Sequence, residues 1–167
     1  MINYIVIMDL SAATIKISNT VVTVYQYIEN INTIKNKYIN KINGYLEDIE
    51  NTINSALTKS QEWIEMKIKK ITKKIYDCID ALLKKINDII NQLRTWYDIQ
   101  INTIKSNVIM AVFAKLGQDC DKDTAMLFAD LIPHPELDSM LPKINIDLEL
   151  PDVSSLLNIG TVRLPRL

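Results

Sequence analysis

Residues 64–90 read IEMKIKKITKKIYDCIDALLKKINDII, an isoleucine or leucine at every third or fourth place with lysines filling the gaps. Such spacing is one face of an α-helix, because 3.6 residues complete a turn and apolar side chains at i, i+3, i+4 and i+7 then align. The stripe extends both ways in steps of four, three and four. It passes through Ile42, Leu46, Ile49, Ile53, Leu57, Ser60, Ile64, Ile68, Ile71, Ile75, Ile79, Leu82, Ile86, Ile90, Leu93, Tyr97, Ile101 and Ile104, and seventeen of these eighteen places are apolar. Eleven residues in three turns is about 3.67 per turn, slightly above the natural helix, so the pattern predicts a nearly straight or gently right-handed helix. Tyr45, Ala56, Cys78 and Ile89 widen the face by one place each, which points to burial against more than one neighbouring helix. The stripe reads as an oligomer interface. Ser60, its one polar place, reads as a register-fixing position.

The composition agrees with long helix. The chain has 167 residues, three glycines and five prolines, and every proline lies after residue 132. The expected fold class is all-α, dominated by one very long amphipathic helix of 11-residue periodicity that forms a coiled coil or bundle, followed by short helices and an extended tail. The expected divisions are an apolar segment at 1–18, strand or helix; the long helix at 19–116, with Asn43-Gly44 the best candidate for a break, against which the unbroken phase of the stripe from Ile39 to Ile49 argues; short helices and proline turns at 117–142; and an extended docking arm at 143–167. Lys115 and Gly117 supply the cationic last turn and left-handed stop of a helix end. In the arm, Ile144, Ile146, Leu148 and Leu150 alternate with polar residues, and Ile159, Val162 and Leu164 continue the extended character. So short a tail has no core of its own and is expected to dock on an adjacent subunit.

Candidate chemistry is sparse. Asp119, Asp121 and Asp123 fall at alternate positions with Asp130 in the twelfth place of a calcium-type loop, but Thr124 stands where that loop needs glycine, so capping of a short helix by Asp121 or Asp123 is the better reading. His134 is the only histidine, and it sits between two prolines. It reads as a loop residue. Cys78 and Cys120 lie far apart along the predicted helix and read as unpaired thiols. No residue set suggests an enzyme, a metal site or a cofactor.

Charge sharpens the choice of partner. Residues 59–105 hold ten Lys or Arg against six Asp or Glu, whereas 117–167 hold four against nine. Lys67, Lys69, Lys70, Lys73 and Lys74 are the densest cluster, flanked by Trp63 and Tyr76, and read as a solvated helix face; nucleic acid is not expected. The opening MINYIVIMDL has no basic leader and too short an apolar run to span a membrane, so a virion or a cytoplasmic assembly is the expected location. The expected function is a non-enzymatic structural component of a large assembly, its partners being copies of itself and neighbouring subunits. The richness in Ile, Asn and Lys, which AT-rich coding produces, tilts that towards a virus or bacteriophage particle. The alternative is an amphipathic helix lying on a lipid surface.

Overall fold

A computed structural model of the chain describes the backbone of residues 2–55, 59–150, 152, 155 and 162–167, with side chains described from residue 7 onward. Two long helices pack together: α1, Ile2–Asn54, and α2, Gln61–Lys115. They are followed by α3, Lys122–Met126, a 3-10 turn at Ala129–Leu131, and α4, Leu137–Met140. Among the described residues there is no strand. The all-α expectation holds; the one long helix of 19–116 is instead two.

The chain passes through Asn43-Gly44 as helix; α1 ends at Asn54 and α2 begins at Gln61, and neither glycine nor proline lies between them in the sequence. Ser60 makes the restart. Its hydroxyl accepts from the Trp63 N–H at 3.2 Å and its carbonyl accepts from the Ile64 N–H at 3.1 Å, the two contacts of a helix N-cap. Ser60 is exposed, so it is a cap and not a register-fixing core residue. At the other end α1 starts at Ile2, so residues 2–18 of the undecided segment are helix. Within α1 the Thr20 and Thr23 hydroxyls donate back to the carbonyls of Lys16 and Asn19, at 3.0 and 3.2 Å.

α2 ends as its sequence predicts. Gly117 has φ of 75°, its N–H donates to the Ala114 carbonyl at 3.0 Å, and the Gln118 N–H reaches back to Phe113 at 2.9 Å. That is the paired closure of a Schellman stop, which needs the left-handed residue glycine supplies. Asp121 then caps α3, its Oδ1 accepting from the Thr124 N–H at 2.7 Å.

The described chain divides into two compact units, and both long helices contribute to each. One comprises Met1–Asn30 and Asp88–Pro142. Its core gathers Ala13, Ile17, Val24 and Ile28 of α1 with Leu93, Tyr97, Ile101 and Ile109 of α2, and Ala125, Ile132 and Leu137 cover them. The other comprises Ile31–Asn87 and Lys143–Leu167. There Ile42, Leu46, Ile49 and Ile53 of α1 meet Ile64, Ile68, Ile71, Ile75 and Ile79 of α2, with Val162 and Leu164 of the arm in the same cluster. Each fully buried isoleucine or leucine contributes roughly 1.5–3 kcal/mol relative to exposure, so these two clusters hold the helices where propensity alone would not.

Candidate functional site

The expected interface stripe is found inside the chain. Ile42, Leu46, Ile49, Ile53, Ile64, Ile68, Ile71, Ile75, Ile79, Leu82, Ile86, Leu93, Tyr97 and Ile101 are buried, while Ile90 and Ile104 are half-buried. Leu57 lies outside the described residues. The partner of the stripe on one long helix is the other long helix of the same chain.

The arm is the more informative element. Its alternation is physical: Ile144, Ile146, Leu148 and Leu150 are half-buried, and Asn145, Asp147 and Glu149 between them are exposed. Ile146, Leu148 and Leu150 lean on the same core cluster that Val162 and Leu164 enter. Ile159 lies outside the described residues. The arm docks here on its own chain.

A socket on α1 holds residues 162–167 through their backbone. The Asn54 amide donates to the Val162 carbonyl at 3.2 Å, and its oxygen accepts from the Val162 N–H at 3.0 Å. Asn43 repeats the reciprocal pair with Leu167, donating at 3.3 Å and accepting at 2.9 Å. Each side-chain amide therefore acts on the extended chain as a neighbouring strand would. Eleven helical residues rise roughly 16.5 Å at 1.5 Å each, and five extended residues rise about the same at 3.3 Å each. The two spacings match, so both asparagines engage one straight segment running opposite to α1.

Between them stands Glu50, seven residues after Asn43 and four before Asn54, hence on the same line along the helix. Its Oε1 accepts from the Leu164 N–H at 2.5 Å and from Arg166 Nη1 at 2.8 Å, and its Oε2 accepts from Arg166 Nη2 at 2.8 Å. The fork-to-fork ion pair is of the stronger kind, being charge-assisted and bidentate. The Glu50 side chain is only 15 % exposed. The Arg166 guanidinium, and after it the Leu164 N–H, hold its carboxyl below the usual value.

A second polar cluster lies in the other unit. Lys105 is 5 % exposed, and its Nζ stands 2.7 Å from His134 Nδ1. Burial lowers its pKa, with Asp130 and Glu136 pulling the other way. The Tyr97 hydroxyl donates to the Pro135 carbonyl at 2.5 Å, and Arg94 pairs with Asp138 at 2.5 Å. These bonds lash the proline-flanked segment to α2. His134 thus contacts Lys105 of α2 from the segment between the two prolines.

Neither asparagine nor Glu50 stands out in the sequence, and Lys105 was hidden among the lysines of a helix. Asn43 and Asn54 each follow a stripe isoleucine and lie eleven residues apart, which is the one signal that could have found them. Among the described residues no group of three His, Cys, Asp or Glu side chains is placed to hold a metal ion, and Cys78 and Cys120 are free thiols. No described helix is long and apolar enough to cross a membrane. No family model matches the chain, and neither the curated proteins nor the solved structures give a match.

Proposed function

We propose that this chain is a non-enzymatic structural component of a large assembly, a virus or bacteriophage particle, whose subunits are joined by exchange of the extended arm. The observation that carries this reading is the socket of Asn43, Glu50 and Asn54. It bonds the backbone of Val162, Leu164 and Leu167 and one arginine, and an identical arm from a neighbouring copy offers the same groups. Exchange of one element between identical chains is a low-cost route to assembly, since every contact of the closed form is remade between subunits. The stripe supports the division of labour: its isoleucines are engaged in the chain's own core, which leaves the arm to join copies and leaves no apolar helix face of that stripe for lipid.

The test is a charge exchange across the socket. E50R and R166E each place like charges together when the arm folds back on its own chain. Mixed, each arm meets a matched socket only on the other chain. Sedimentation is expected to show monomers for each variant alone and a discrete larger species for the mixture, while the double variant E50R/R166E behaves as the parent does. A mixture that keeps the monomer mass, at concentrations where the parent assembles, overturns arm exchange.

A further inference from the structure

Six exposed lysines surround the start of α2: Lys59, Lys67, Lys69, Lys70, Lys73 and Lys74. Among the described residues only Lys73 of these meets a carboxylate, Asp77 at 3.2 Å. Like charges three and four residues apart on a helix repel, so the cluster is a cost to the fold that the Lys73–Asp77 pair and the Trp63 ring offset only in part. Sequence alone reads it as a solvated face. The structure adds that the lysines border a furrow.

Three clefts adjoin there, all within the unit formed by residues 31–87 and 143–167. The first, about 550 Å³, has Asn51 and Thr52 of α1 on one side and Lys59, Trp63 and Lys67 on the other. The second, about 340 Å³, shares Trp63, Lys67 and Lys74 with the first and adds Met66 and Lys70. The third, about 570 Å³, shares Met66 and Lys70 with the second and reaches Tyr76. Shared lining residues make them contiguous along the basic side of α2, with the Trp63 indole where the first and second meet and the Tyr76 phenol beside the third. Lys59 Nζ and Lys67 Nζ lie 5.2 and 4.9 Å from the centre of the Trp63 ring, so the indole holds two ammonium groups beside itself.

We infer that this furrow is a binding track for single-stranded nucleic acid, with the lysines meeting phosphates and Trp63 and Tyr76 offering their rings to bases. A positive groove interleaved with aromatic rings is the arrangement that holds a single strand without reading its sequence. Asp48 lines the first cleft on the α1 side and repels phosphate, which directs the strand to the lysines of α2. A bilayer fits less well. It is flat, the furrow curves about a helix, and the apolar face that an interfacial helix would insert is here occupied by the core through Ile64, Ile68, Ile71 and Ile75.

The chain has two tryptophans, so W96F leaves Trp63 as the sole indole reporter. A short oligothymidylate is expected to quench its fluorescence. The logarithm of the binding constant should fall against the logarithm of salt concentration with a slope of about −3, since single strands give about −0.7 per phosphate neutralised. K70E/K74E is expected to weaken binding at least about tenfold. K84E/K85E makes the same charge change at exposed lysines further along α2 and is expected to leave binding within about twofold. Anisotropy of a labelled oligothymidylate with the unmodified chain gives the affinity without reliance on W96F. Three results would each overturn the proposal: no oligonucleotide binding, equal loss in both double variants, or binding only to vesicles of equal parts phosphatidylglycerol and phosphatidylcholine.

Discussion

Half-buried Glu50 and buried Lys105 are charges that fare oppositely at neutral pH. Arg166 and the Leu164 N–H hold the Glu50 carboxyl below its ordinary value of 4.5. A carboxyl lowered in the folded state contributes stability that is complete above its unfolded pKa and is lost as pH falls through the folded one. The arm is therefore expected to loosen in the window below about pH 4.5. Hydrogen exchange at the Leu164 and Leu167 amides reads this directly: their protection should fall with pH in that window, whereas E50Q should show reduced protection already at pH 7 and little further change. Unaltered protection in E50Q would show that the asparagines hold the arm unaided. For Lys105 the pKa is also lowered, but by burial, which penalises the charged form, so at neutral pH its charge costs stability where that of Glu50 contributes it. The native chain then binds fewer protons than the unfolded chain as pH climbs towards the ordinary lysine value of 10.5, so stability rises with pH there. Urea unfolding between pH 7 and 10 should show that rise in the parent and a flatter profile in K105M, whose side chain fills the same space without a charge.

Among the elements, the ends and interior of the long helices give the sharpest expectations. Ser60→Ala removes the N-cap of α2 and is expected to cost about 1 kcal/mol in urea unfolding. Ser60→Ile discriminates further: a core place in a continuous stripe would gain from it, whereas an exposed cap loses as much as with alanine. Gly44 lies inside α1 without a positive φ, and a Cβ there would meet nothing within 4 Å. Gly44→Ala should accordingly stabilise the chain by about 0.5–1 kcal/mol. The inward face of each helix was legible because burial imposes a period on sequence, and seventeen matching places leave little freedom. The turn was not. Ile53 and Ile64 are eleven residues apart, so the repeat counts straight across 55–60, and in a pair of helices facing each other both stripes point inward whatever the connection does. Serine is a good N-cap residue, but at Ser60 it sits inside a stripe that keeps its phase, which is why it reads there as a register position. The alternation of the arm was equally legible, since Ile144, Ile146, Leu148 and Leu150 fall on the covered side. Its target was not, because Ile-Asn pairs recur at 31–32, 39–40, 86–87 and 101–102, and nothing local marks the pairs at 42–43 and 53–54 as a clamp.

For the whole molecule, the question is how far two cores threaded by the same two helices share one stability. The arm belongs to only one of them: Val162 and Leu164 are buried in the cluster of Ile42 to Ile79. Removing residues 162–167 deletes those two side chains and the contacts of Asn43, Glu50 and Asn54. At roughly 1.5–3 kcal/mol per fully buried aliphatic side chain, the loss is about 3–6 kcal/mol as an upper bound, and it falls on that unit. A chain of this size shifts its melting temperature by about 2–4 °C per kcal/mol, so a fall on the order of 10 °C is expected. The two tryptophans separate the units as reporters, because Trp63 lies in the unit that receives the arm and Trp96 packs with Tyr27 in the other, ring centres 6.0 Å apart. In W96F the truncation should lower the Trp63 transition by the full amount, while in W63F the Trp96 transition should move by clearly less. Equal shifts at both tryptophans would instead mean that α1 and α2 carry the loss across, and that the two cores melt as one cooperative body.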